Sequence, residues 1–327
     1  MKRTLVLFPA LAIAFLAVSA LASCASRPPV TPPRPEIHGF ISRIEYGGNV
    51  AYVFGSMHMG RPEWFPLSPI VEEAMDRADV FAFEVDMALM ASPEAMAYSS
   101  YLMMLPGGQT LADVMPPDVF ESFLRSIEVL PTITYEMIAH LTPVGANMVI
   151  AMVELIPLMG IYFAYSVDTY VHAIALYNGR PVIGLNDIFR EFDLLLDVPM
   201  DVQLTMFDSP TDWEEVDWAA DWEAMVQAVV DMGLVEAYEA GDAAMLHRAL
   251  ASSMSDEPSL FEQHFHHTNF HVRCHIFADE IARLLRETVD PTTFFVTVGA
   301  AHIIGGDFGK VLTLLEGMGF EVTPLWN

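Results

Sequence analysis

Two short motifs of equal spacing stand near opposite ends of the chain, Gly55-Ser56-Met57-His58 and Gly299-Ala300-Ala301-His302. Each follows an apolar run that reads as a buried strand, Val50 to Phe54 and Thr293 to Val298. Imidazole is the ordinary acid–base group near neutral pH and a common ligand of zinc-like metals. Two histidines so far apart in sequence meet only if the fold sets their strands together. A third group is Glu84, inside Val80-Phe81-Ala82-Phe83-Glu84-Val85. A carboxylate in such a run is costly without a partner. His58, His302 and Glu84 together suit a divalent metal such as zinc, manganese or cobalt. The spacing alone leaves open two buried structural histidines and a capped carboxylate. Each motif glycine is expected to let the backbone turn sharply at the strand exit.

The surrounding elements predict an α/β fold: a central mixed β-sheet flanked by helices, with a large helical insertion. Phe40 to Tyr46 and Val50 to Phe54 flank Gly47-Gly48-Asn49, a hairpin signal. Ser68-Pro69 starts a helix running to about Ala78, and Val80 to Val85 is the next strand. Residues 93 to 180 are mostly helical. From Pro143 to Tyr165 only Glu154 is formally charged, a length and apolarity that could span a membrane. Pro157 and Gly160 interrupt it, so a buried helical pair in a lid or subdomain is expected. Pro181 to Leu185 and Phe320 to Leu325 read as further strands. Residues 199 to 290 read as helices, with Trp213, Trp218 and Trp222 as core anchors in an acidic segment. Ligands of open α/β sheets bind outside the carboxyl ends of strands, where both histidines fall.

The 327 residues carry a net charge of −28, although 53% are hydrophobic. That charge argues against nucleic acid and against an anionic membrane surface. Lys2 and Arg3, an apolar stretch to Leu21, and Leu21-Ala22-Ser23-Cys24 resemble a bacterial lipoprotein signal. The expected organisation is a signal over 1–23, a Pro-rich tether over 24–37, and one domain over 38–327. Lipidated Cys24 would anchor an extracytoplasmic domain to the cell membrane or the outer membrane through palmitate-like acyl chains. Cys274 is then the one remaining thiol, so an intrachain disulfide and a four-cysteine zinc site are both excluded.

The residues around the two motifs carry a family resemblance. Val53-Phe54-Gly55-Ser56-Met57-His58-Met59-Gly60 and Phe83-Glu84-Val85-Asp86 resemble the opening of TraB/GumN domains. Val167-Asp168-Thr169-Tyr170, Gly179 to Leu185, Ala240-Gly241-Asp242 and Val298 to Gly306 continue the match. The family includes Tiki-type metalloproteases and looks distantly related to erythromycin-esterase-like and haem-binding lipoprotein folds. The resemblance implies a metal-dependent hydrolytic site of His58, His302 and Glu84, with Glu84 as ligand or general base, acting on a peptide or small-molecule substrate. The chain departs from the pattern at Asn186, where a glutamate is expected, at Glu191, where a glutamine is expected, and at Arg273-Cys274, where an arginine–asparagine pair is expected. Arg273 could clamp a carboxylate or stabilise an oxyanion. Asp168 and Asp187 are candidate substitutes for the lost charge, Asp168 first, its alternative being a helix cap. The expected activity is hydrolysis of peptide or amide bonds. The alternatives are a lipoprotein binding haem or another ligand without turnover, and a scaffold that docks a partner.

A second cluster places five histidines between His264 and His275. His267, His271 and His275 follow i, i+4, i+8 spacing, and two such histidines can bind zinc. No glutamate follows the first, so there is no H-E-x-x-H motif, and the reading is an exposed or partly packed stripe. Neither a Walker A loop nor a Gly-x-Ser-x-Gly elbow is present. Gly305-Gly306-Asp307-Phe308-Gly309 reads as the turn into the last helix.

Overall fold

A computed structural model of the protein describes residues 39–207 and 217–326. The signal, the tether, Cys24, Trp213 and the Trp218 side chain lie outside this description.

Six strands form one mixed sheet in the order β4-β3-β5-β2-β1-β6. β1 (Phe40–Tyr46) and β2 (Asn49–Ser56) form the expected hairpin. Gly47 and Gly48, both at positive φ, make its two-residue turn, the backbone that a primed turn demands and glycine supplies at no steric cost. Helix α1 (Pro69–Arg77) starts after Ser68 and leads to β3 (Val80–Val85). β4 (Val182–Asn186) and β5 (Thr293–Gly299) run parallel to β3, and β2 runs parallel to β5. β6 (Val322–Pro324) pairs antiparallel with β1. β2, β3 and β5 are buried along nearly their whole length, as strands covered on both faces must be.

Between β3 and β4 the chain builds the insertion. It contains α2 (Pro93–Met103), α3 (Pro117–Glu128) and α4 (Pro143–Ile150), and returns through α5 (Val167–Tyr177). Leu111, Phe123, Ile127, Ile138, Ile150 and Leu155 belong to a core separate from that of the sheet. The stretch expected as a helical pair is one helix: α4 continues through a π turn at Ala151–Leu155 into Ile156–Leu158. The break falls later, at Gly160, whose positive φ of 63° ends the run. Glu154 is buried and accepts the Thr132 and Ile133 amides, which gives the lone charge of that stretch its partners. No described helix is long and apolar enough to cross a membrane.

After β4 come α6 (Ile188–Leu196), α7 (Trp218–Asp231), α8 (Leu234–Ala240), α9 (Ala243–Ser252) and α10 (Leu260–His267). α10 runs through a π segment, Thr268–Arg273, into α11 (Cys274–Glu287). Trp222 packs against the insertion core, as an anchor should. The glycine-rich segment after β5 leads into α12 (Val311–Gly317).

Candidate functional site

The register of three parallel strands brings the expected residues together. β2 and β5 end as partners, with Gly55 opposite Val298 and Ser56 opposite Gly299. His58 therefore leaves one strand next to the strand that His302 leaves. Glu84 is the penultimate residue of β3, whose pairing with β5 stops at Phe83 opposite Thr297. Alternation along the strand turns Phe83 toward His172 of α5, and sends Glu84 to the opposite face.

The motif glycines serve close approach. Neither has a positive φ, so the sharp turn expected of them is not what requires glycine. A Cβ on Gly55 would stand 2.7 Å from Ile303 Cδ1 and 2.9 Å from the Ala300 backbone. A Cβ on Gly299 would stand 3.4 Å from Glu84 Oε1, 3.4 Å from His58 Nε2 and 3.5 Å from His302 Cδ2. Gly299 thus opens a small cradle at which His58, Glu84 and His302 converge.

Asp168 accepts from His58 Nδ1 at 2.9 Å and from the Ser56 hydroxyl at 2.8 Å. It lies in the first turn of α5, whose cap is Ser166, so its role as a cap is excluded. Because the carboxylate accepts, Nδ1 carries the proton and the Nε2 edge faces the cradle. Burial works to lower the His58 pKa, but the Asp168 and Glu84 charges and the Asp168 hydrogen bond outweigh it, and the pKa is raised. The His58 side chain is 19% exposed against 7% for Glu84 and 5% for His302, which makes it the solvent edge of the site.

Behind the cradle, Arg273 holds two acids. Its Nη2 lies 2.5 Å from Glu84 Oε2 and 2.5 Å from Glu191 Oε1. Its Nη1 donates to Asn269 Oδ1 at 2.8 Å and to His302 Nε2 at 3.3 Å. Since Nε2 accepts, the neutral His302 ring carries its proton on Nδ1, 3.3 Å from Cys274 Sγ. Burial, with Arg273 and His58 adding to it, lowers the His302 pKa to about 3 against the opposing charge of Glu84. Burial opposes ionisation of Glu84, yet Arg273, the two histidines and the Gly299 amide hold its pKa at about 2. Burial and the neighbouring Glu84 push Glu191 upward despite Arg273. Of two carboxylates sharing one guanidinium, Glu191 is the one that takes a proton first.

Asn186, where the family pattern places a glutamate, donates to Glu191 Oε2 at 2.8 Å. The buried charge at this place is supplied by Glu191. Asp187 caps α6 through the Phe189 and Arg190 amides and is not part of the site. Ser56, Asn269 and the pairing of Glu191 with Arg273 were missed in the sequence. Glu191 had a signal, since it sits among Ile188, Phe192 and Leu195 on the buried face of α6.

No three His, Cys, Asp or Glu among the described residues stand at metal-holding spacing. The donor types nevertheless fit a divalent cation. A histidine oriented by a carboxylate, a second neutral histidine and an ionised glutamate border a space that a Cβ would fill. Arg273 meanwhile occupies Glu84 Oε2 and His302 Nε2.

A mixed sheet with a separately cored helical insertion, and paired histidines at adjacent strand exits, define the class. The TraB/PrgY/gumN family model matches residues 40–324, and the chain belongs to that family. No curated protein and no solved structure matches it significantly.

Proposed function

We propose that this protein is a metal-dependent hydrolase of peptide or amide bonds, held extracytoplasmically by a lipid on Cys24. The observation that carries the reading is the Gly299 cradle, bordered by His58, Glu84 and His302. These three would hold a zinc, manganese or cobalt ion, which when bound acidifies water and polarises a carbonyl. Asp168 fixes the His58 tautomer and orientation, as carboxylates do for metal-ligating imidazoles. Glu84, kept ionised by Arg273, serves as ligand or as proton acceptor. Arg273, buried and multiply bonded, sets the positive potential behind the site. His58, at the open edge, is the group that an entering substrate meets first.

The test compares metal content and peptide hydrolysis in the wild type and in His58→Ala, His302→Ala and Glu84→Ala. All three folded variants are expected to lose the cradle ion and the hydrolysis. Unchanged metal content in them would refute a shared site. One observation favours a second reading, ligand binding without turnover: Arg273 already satisfies both Glu84 and His302. Metal or haem uptake by the wild type with no hydrolysis would select it.

A further inference from the structure

The outer side of the helix that carries Arg273 bears a second arrangement of imidazoles. His267 ends α10, His271 lies in the π segment and His275 in α11. The His267 and His271 rings stack at 28° with centroids 5.0 Å apart. The His271 and His275 rings meet at 60° with centroids 4.4 Å apart. With metal–nitrogen bonds of about 2.0–2.1 Å, two adjacent imidazoles on one ion have ring centres about 4.5–5 Å apart. The His271 and His275 rings, at 4.4 Å, stand close to the separation that a shared ion imposes.

An independent observation concerns proton placement. His275 Nδ1 lies 2.8 Å from the His271 carbonyl oxygen. A carbonyl only accepts, so Nδ1 carries the proton and Nε2 carries the lone pair. Orientation by a backbone carbonyl is the support that metal-ligating histidines ordinarily have. His267 and His271 are exposed, and Asp279, also exposed, continues the same helical spacing one turn on. Lys310 is the nearby cation that acts against an ion here, within a chain of net charge −28 that draws cations as a whole.

We propose that His271 and His275 form a surface site for a divalent transition metal of the zinc, copper or nickel type, distinct from the Gly299 cradle. The two imidazoles supply two ligands and water the rest, since no group of three protein donors forms among the described residues. Such a chelate needs no movement of Arg273, which points into the core from the same helix.

The test titrates the full chain with Zn²⁺ alone by calorimetry, in wild type and in His58→Ala. Each is compared with the same protein carrying His271→Ala, His275→Ala or both. The parents are expected to bind one more ion than the double variants in both backgrounds. Each single change should weaken that step by at least about tenfold, as even outer-shell changes do at metal sites. His140→Ala, a control at an exposed histidine elsewhere, should leave the isotherm unchanged. Equal uptake by the double variant and its parent would overturn the site. So would an equal loss in His140→Ala, or an effect seen only when His58 is present. The changed side chains lie on the outer side of the helix, so the variants keep the fold and their isotherms remain comparable.

Discussion

The Gly299 amide donates to Glu84 Oε1 at 2.6 Å, across the point where β5 and β3 cease to pair. A side chain takes over the ladder bond where the ladder ends, and the same carboxylate becomes the wall of the cradle. Gly299→Ala should therefore separate fold from function. Its Cβ would meet ordinary contacts of 3.4–3.5 Å at a φ of −53°, which alanine adopts. The expected cost is below about 1 kcal/mol, with metal uptake at the cradle and hydrolysis lost. Gly55→Ala should do the reverse of a mild change: it collides with the Ala300 backbone and costs about 1–3 kcal/mol. Urea unfolding beside metal analysis distinguishes the two.

Arg273 is the sole cation bonded to Glu84 and Glu191 among the described residues. Arg273→Met leaves two buried acids uncompensated and should cost about 3–5 kcal/mol. Adding Glu191→Gln removes one of those acids and should recover part of the loss. A double-mutant cycle by urea unfolding reads the recovery, and an additive result would contradict the shared clamp.

Asp168→Asn keeps the shape beside His58 and removes the charge that fixes its tautomer. Affinity for the cradle metal should fall about 10–100-fold with the fold retained. Competition against a metal-binding dye measures it.

His172 has a buried Nε2 without a hydrogen-bond partner and packs edge-on against Phe83. Burial, opposed only by the Asp86 charge, lowers its pKa from 6.5. Below pH 6.5 the unfolded chain therefore binds the proton that the folded chain refuses, and stability declines as pH falls until the folded pKa is reached. His172→Phe should remove this part of the decline and change little above pH 7. Urea midpoints between pH 5 and 8, read as the difference between wild type and variant, show whether the slope diminishes.

Cys24→Ser should release the protein from the membrane fraction and remove the lipid mass. A variant that stays membrane-bound would exclude the proposed anchor.

The parts of the fold that rest on local chemistry were legible in the sequence. Gly47-Gly48 names its turn, Ser68-Pro69 its helix start, and the apolar runs their strands, because these signals act between near neighbours. The convergence of His58, Glu84 and His302 was also readable, since strand exits and a charge inside an apolar strand leave a visible mark. The clamp of Glu84 and Glu191 on Arg273 was not, because it joins three elements whose register no single segment encodes. The role of the motif glycines was misread for the same reason: what demands them is the backbone arriving from another strand. The π turn after Ile150 also leaves no periodicity that distinguishes one helix from two.

The π segment at Thr268–Arg273 spans the helix that bears Arg273 on its buried side and His271 and His275 on its outer side. A π turn holds about one residue more than the α turn it replaces, so losing one residue here and returning to ordinary helix would leave everything after it at nearly its present bearing. The same deletion made in the regular α10 before it would instead swing Arg273 and the His275 face together by about 100°. The segment thus absorbs a one-residue change of length that the regular helix on either side cannot.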